Sequence, residues 1–478
     1  MCAIYEKLCP ICKNFTRSLD FEDKSGYNER AEVKKTFQSA KKSEVMKMLP
    51  RNQYLKEIIA LKDNGRVKII TGLRRCGKSV LLFEIYRDYL INEGVDSEQI
   101  IGVALDELSN AKYRNPLELD KFFRERITDS SKRYYLFIDE IQMVSEIQNP
   151  YVDDPEAKIG FVDVVIGLMK IRNADVYITG SNSKMLSSDI LTQFRDRGDE
   201  IRVFPLSFAE FYDAYEGDKR EAWQDYYTYG GMPVVLSMDT HEKKSRYLRD
   251  LFERTYLKDV LERHKVLNNE DVLATLLDVI ASGVGALTNP SKLSNTFKSE
   301  NGIAVAPDTI EKYLGYFMDA YLIQKAVRYD VKGRKYIKSP SKYYYSDPGL
   351  RNARLGFRQI EETHLMENVL YNDLIRRGCD VDVGVVEIAT MEEGKKIRKQ
   401  LEVDFVVNRG NDRYYIQSAL TIADPEKKKQ EIASLLRIPD SFKKIVVVRD
   451  YLKPYKDENG IQYVGIEHFL RDESILTG

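Results

Sequence analysis

From Tyr54 onward the apolar positions Leu55, Ile58 and Ile59 recur at helical spacing and stop at Asp63-Asn64-Gly65, and Val67 to Ile70 then reads as a short buried strand. Val80, Leu81, Phe83, Ile85 and Tyr86 return to helical spacing over 79–90, and Asn92-Glu93-Gly94 ends that helix. Further short apolar runs at 100–105, 135–138 and 176–179 are each separated from the last by a helical stretch. Strands alternating with helices predict an α/β layer built on a parallel sheet.

After Pro205 the pattern changes to amphipathic helices rich in Tyr and charge, through Tyr215, Trp223 and Tyr256 to His264, which reads as a helical lid. Residues 266–350 then give helices at 271–282, 291–298 and 308–323 and two strand-like runs around Lys332-Gly333, the element order of a winged helix. From about Leu365 a helix leads into strands at 383–388, 403–407, 414–416 and 445–448, a second α/β unit. Residues 1–48 are polar and Lys-rich without a sustained apolar period and read as an extension. The expected divisions are thus 1–48, an α/β core at 49–213, a lid at 214–265, a winged helix at 266–350 and a second α/β domain at 351–478.

Composition narrows this picture only a little. A chain of 478 residues with 43% hydrophobic and 31% charged positions is expected to fold into several globular domains. Lys plus Arg (74) and Asp plus Glu (75) nearly cancel, so only a local patch can draw the chain to nucleic acid. Neither a long apolar run nor a secretory leader pattern is present in the sequence, which leads us to expect a cytoplasmic protein without membrane contact. Five Cys make no disulfide framework, and the Cys9/Cys12 pair lacks the two further ligands a zinc site needs.

The chemistry concentrates in Gly72-Leu73-Arg74-Arg75-Cys76-Gly77-Lys78-Ser79, which fits G-x-x-x-x-G-K-[ST] between a strand and a helix. Gly72 and Gly77 let the backbone turn, so that N–H groups across Arg74, Arg75, Cys76 and Gly77 face phosphate oxygens and the helix N-terminus adds a favourable dipole. Lys78 is suited to neutralise the β- and γ-phosphates of a nucleotide, and Ser79 to offer its hydroxyl to Mg²⁺. The run 134–138 ends in Asp139, suited to the metal, and Glu140, suited to the water that attacks the γ-phosphate. Thr179-Gly180-Ser181 ends another predicted strand, and Ser181 is the candidate there for γ-phosphate contact. Arg197, with Arg195 beside it, is a candidate finger for transferred charge, in its own or a neighbouring subunit.

Taken together, these residues resemble the prokaryotic AAA-like P-loop ATPases of the AAA_14/DUF4143 type, whose ATPase domain precedes a C-terminal domain of uncharacterised function. The resemblance also rests on Pro205-Leu206-Ser207-Phe208-Ala209-Glu210-Phe211, Tyr229-Gly230-Gly231-Met232-Pro233, Tyr344-Tyr345-Ser346-Asp347-Pro348-Gly349-Leu350, Glu367-Asn368 and Val403-Asp404-Phe405-Val406, and spans about residues 50–450. It implies ATP with Mg²⁺ and a C-terminal fold of nuclease type, in which a helix Glu, a strand Asp and a following Glu-x-Lys hold metal and activate water. Glu367 and Asp404 match the first two positions, whereas the third reads Gln417-Ser418-Ala419, so the unit is expected to be degenerate and not to cut.

Two functions follow from these expectations. One is an ATP-driven switch on DNA, supported by the winged-helix order and by residues 325–342, which hold seven Lys or Arg against the single acid Asp330. The other is a regulatory ATPase whose C-terminal domains bind a protein partner or a second copy of the chain.

Overall fold

The computed structural model describes residues 49–478 except 181–193, 195–196, 265, 267–269, 301, 393–394 and 477–478. The N-terminal extension, with its Cys9/Cys12 pair, and the candidate Ser181 therefore lie outside the described residues.

The first sheet is formed by β1 (Val67–Thr71), β2 (Ile100–Ala104), β3 (Tyr134–Asp139), β4 (Ala174–Thr179) and β5 (Gly198–Arg202). All five run parallel in the order β2-β3-β4-β1-β5. Successive side chains of a strand point to opposite faces, and here each face has its own core. Ile69, Leu136, Ile138, Val176 and Ile178 enter one, and Ile70, Tyr135, Phe137 and Tyr177 enter the other. Lys68 sits fully buried in β1, between two neighbouring strands, because Asp175 on β4 lies 2.5 Å from its Nζ and takes a second hydrogen bond, 2.7 Å, from the Tyr177 hydroxyl. The sequence pattern does not signal β5, whose only fully buried residue is Ile201.

Helices follow at Phe208–Ala214, Ala222–Tyr229 and His241–Leu251, the last continuing through Phe252–Leu257 and Lys258–His264. Ser207 and Glu210 cap the first of these reciprocally, each side chain bonding the other's backbone N–H. Three more helices, Glu270–Ser282, Pro290–Glu300 and Pro307–Asp319, lead into β6 (Ile323–Asp330) and β7 (Lys335–Tyr345). The third helix stops at Asp319, short of the expected 323, since Ile323 already opens a strand.

The helix-helix-helix-hairpin order is present, but the hairpin is not a free wing. β6 pairs in parallel with β8 (Asp380–Glu392), Val383 opposite Arg328 and Val385 opposite Asp330. With β9 (Lys395–Arg409), β10 (Asp412–Ala419), β11 (Lys443–Val448), β12 (Tyr455–Lys456) and β13 (Gln462–Gly465) it forms one eight-stranded mixed sheet, ordered β12-β13-β11-β10-β9-β8-β6-β7. A division at residue 350 therefore cuts through continuous hydrogen bonding.

Two of the sequence motifs turn out to be one joint. Asp347 accepts the Gly231 N–H at 2.7 Å on one carboxylate oxygen and the Leu350 N–H at 2.9 Å on the other. A side chain at Gly231 would stand 2.2 Å from the Leu206 carbonyl oxygen, and one at Gly349 2.0 Å from that of Tyr229, so both close approaches require glycine. Glu367-Asn368 anchors the helix Glu362–Arg376 to β7: the Asn368 side chain bonds both the N–H and the C=O of Tyr345, at 2.8 and 2.7 Å.

Candidate nucleotide site

At the end of β1 the chain enters the loop through Gly72, at φ 128°. A Cβ there would lie 2.0 Å from the carbonyl oxygen of Val203, just beyond β5, so backbone conformation and packing both exclude any larger residue. Arg75 and Gly77 continue the turn at φ 62° and 100°, and the helix begins at Lys78. The buried Lys78 ammonium folds back along the loop and donates to the carbonyls of Gly72 (3.1 Å) and Leu73 (2.8 Å). Cys76 is buried with its Sγ 3.3 Å from the Val203 carbonyl, so its side chain helps pack the loop while its backbone remains part of the turn.

The helical region after the core grips the outer side of this loop. Arg74 makes a two-oxygen ion pair with Asp259, 3.1 Å to each oxygen, and the Tyr256 hydroxyl donates to the Arg74 carbonyl at 2.8 Å. Neither Asp259 nor Tyr256 carries a sequence signal pointing to the loop, because both lie on a helix far along the chain.

β3 ends in Asp139, buried beside the loop, where its carboxylate accepts a hydrogen bond from the Thr179 hydroxyl and neighbours that of Ser79. Burial pushes the Asp139 carboxyl above its ordinary value, and the hydroxyls of Thr179 and Ser79 partly offset it. Glu140 follows in the left-handed region at φ 52°, and its N–H donates to Thr179 Oγ1 at 3.3 Å. The Gln142 amide donates to the Glu140 carboxylate. Of the segment Thr179-Gly180-Ser181 that the sequence offers, Thr179 reaches the site from the end of β4, and Gln142, two residues past the carboxylate pair, joins it through Glu140.

Mg²⁺ bound through few protein oxygens needs a hydroxyl and a carboxylate close together, and the neighbouring Ser79 and Asp139 fit that requirement. When bound, the metal would neutralise charge on the transferring phosphate. Among the described residues no cluster of three or more His, Cys, Asp and Glu is arranged to hold a metal by itself.

Arg197 stands apart from this group. Its carbonyl accepts the Val67 N–H, at the start of β1, and β5 runs parallel to β1 until Arg202 lies opposite Thr71. Arg197 is therefore a strand length, about 16 Å at roughly 3.3 Å per residue, from the loop of its own chain. It does not join the site as a finger in cis. Arg202, at the right end of β5, stacks instead on Phe204 and Tyr321, at 4.5 and 4.3 Å from the ring centres. The Tyr321 hydroxyl in turn hydrogen-bonds Glu200 (2.8 Å) and Thr71 Oγ1 (3.1 Å).

A parallel sheet with the phosphate-type loop after its β1 and the carboxylate pair after β3 defines a P-loop protein of the AAA class. Residues 64–212 match the family model described as AAA domain, and residues 220–361 match that of a domain of unknown function, DUF8612, where the sequence motifs point to a DUF4143-type neighbour. An uncharacterized protein of Haemophilus influenzae is 33% identical over 428 residues, 88% of this chain and 98% of the relative. One from Methanocaldococcus jannaschii is 28% identical over 382 residues, 77% of each. The chain belongs to this family of AAA-like P-loop ATPases with a C-terminal domain of unknown function. Solved structures with some likeness include the Aeropyrum pernix ORC1 protein in complex with DNA (12% identity, TM-score 0.29, 64% of this chain and 91% of that one) and Cdc6p from Pyrobaculum aerophilum (12%, 0.29, 66% and 94%). No helix among the described residues is long and apolar enough to cross a membrane.

Proposed function

We propose that the chain binds Mg-ATP and hydrolyses it, and that hydrolysis is coupled to DNA bound on the side of β6 and β7. The observation that carries the ATPase reading is the cluster of Ser79, Asp139 and Thr179 beside the Lys78 loop. In it Lys78 and the loop N–H groups bind the β- and γ-phosphates, Ser79 and Asp139 hold the metal, and Glu140 orients and polarises the attacking water. Phosphoryl transfer asks for positioning and charge stabilisation more than for covalent chemistry, and this set supplies both.

Support for DNA comes from the hairpin. Five of its basic residues, Lys325, Lys332, Arg334, Lys335 and Lys338, are exposed, while Arg328 is half-buried and donates to Gln400 and Lys342 turns inward. Exposed Lys and Arg on a hairpin suit phosphate contacts that carry affinity without reading sequence. We further propose that the second sheet does not cleave phosphodiesters: Gln417 accepts the Asp404 N–H at 3.4 Å instead of offering a carboxylate, and Ala419 is a buried methyl.

The test is ATP turnover by the full chain with and without plasmid DNA. The expected result is faster turnover at low salt that falls back as salt rises, because bound cations are released when Lys and Arg replace them on phosphates. Turnover indifferent to DNA at every salt concentration would remove DNA and leave a protein partner.

A further inference from the structure

The helix Glu362–Arg376 and strand β9 bring three acids together on the second sheet: Glu367, Glu402 and Asp404. Such a trio invites a divalent cation, and the nuclease resemblance implies one. The space between the two glutamates is already filled. Lys342, reaching in from β7 and only 4% exposed, sets its Nζ 2.8 Å from Glu367 Oε1 and 2.7 Å from Glu402 Oε1. These are N–H···O distances for an ammonium directed at both carboxylates at once. The Tyr344 hydroxyl, 2.6 Å away, takes a further lone pair of the same Glu367 oxygen, and the Ser418 N–H, 2.8 Å away, takes one of Asp404.

Two of the three acids are closed off from outside, while Glu402 is 37% exposed at the rim. Glu367 and Asp404 are 9% and 7% exposed. The segment after the helix Glu270–Ser282 lies over them: a Cβ on Gly285 would stand 3.2 Å from Glu367 Oε1, and Thr288 and Ser341 exchange two backbone hydrogen bonds of 2.9 Å.

We propose that the Lys342 ammonium is the built-in cation of this acidic cluster, standing where a divalent metal would have to sit, so that the site is a structural ion cluster from which metal is excluded. This deepens the non-cleaving reading of the second sheet, and metal binding tests it separately from cleavage. The charge balance agrees. Burial disfavours the lysine's charge, yet Glu367, Asp404 and Glu402 more than offset it and hold the Lys342 pKa above its ordinary value. Burial and the neighbouring Glu367 raise that of Asp404, which leaves fewer negative charges for one lysine to match.

The experiment titrates Mn²⁺, followed by its electron paramagnetic resonance signal without nucleotide, into the full chain carrying Lys78→Ala to disable the phosphate loop. No binding that depends on Asp404 is expected, so Lys78→Ala and Lys78→Ala/Asp404→Asn should give the same titration. Adding Lys342→Met, which keeps the unbranched stem and removes the charge, should create a Mn²⁺ site at least about tenfold tighter than any in the parent, by analogy with the cost of one missing charge-assisted bond. That new site should vanish with Asp404→Asn. Asp404-dependent binding in the Lys78→Ala chain would overturn the proposal. So would a Lys342→Met protein with an unchanged circular dichroism spectrum and no gain in Mn²⁺ affinity. If Lys342→Met does not fold, the comparison of the two Lys342-containing chains still decides.

Discussion

Asp347→Asn is the substitution whose consequence can be worked furthest from the structure. Asp347 is 1% exposed and lies in the joint where Gly231 and Leu350 donate to its carboxylate. Burial outweighs these N–H contacts and pushes its carboxyl from the ordinary 3.8 up to about 6. A folded state that holds its proton more tightly than the unfolded chain gains stability from this group below pH 3.8, and loses it as pH rises through about 6. At about 1.36 kcal/mol for each pH unit between the unfolded and folded values, the loss comes to about 3 kcal/mol. Asparagine carries no ionisable proton and escapes that loss, although its single carbonyl oxygen cannot accept on both sides as the carboxylate does. Wild type should therefore be the more stable protein at pH 4.5, with the difference shrinking or reversing by pH 7.5. Denaturant midpoints of both proteins across that range measure it. A difference that stays constant, or that widens in favour of the wild type as pH rises, refutes the reasoning.

Lys78→Ala should weaken Mg-ATP binding by roughly 100-fold or more, the loss expected for a charge-assisted contact of up to about 3 kcal/mol; calorimetric titration with unchanged affinity would remove the loop from the site. Glu140→Gln should keep ATP affinity and slow hydrolysis by about 100- to 10,000-fold, since the amide can hydrogen-bond water but cannot take its proton; single-turnover assays separate the two effects, and full turnover would take Glu140 out of the mechanism.

The nucleotide site is legible in the sequence because its shape is set by neighbours in the chain. Gly72 and Gly77 fix the loop, and Asp139 and Glu140 end a run whose every residue is buried. What the sequence hides is non-local. β5 reads Gly-Asp-Glu-Ile-Arg and becomes a strand only by pairing with β1, so the position of Arg197 at its start, at the wrong end of the strand, has no local mark. Thr179 belongs to a polar segment visible in the sequence, but its hydrogen bonds to Asp139 and to the Glu140 N–H come from the neighbouring strand β3 and have no local mark. The hairpin around Lys332-Gly333 is evident from its turn, whereas its parallel partner β8 begins only at Asp380. Lys342 reads as one more surface charge in a basic stretch, because the acids that draw it inward lie at 367 and 402.

The parallel pairing of β6 with β8 fixes where this molecule can be divided. A fragment starting at residue 351 would lack β6 and β7, leaving the long β8 with a row of unsatisfied backbone N–H and C=O groups along one side and Asn368 without the Tyr345 backbone it holds. Such a piece is set up to pair with other copies of itself. A cut that spares the second sheet must fall before Ile323, at the latest in the short stretch after Asp319. That stretch contains Tyr321, whose hydroxyl bonds Thr71, the residue immediately before the phosphate loop. Even the latest break that a gene fusion or recombination event could make without splitting the second sheet therefore falls within reach of the nucleotide site.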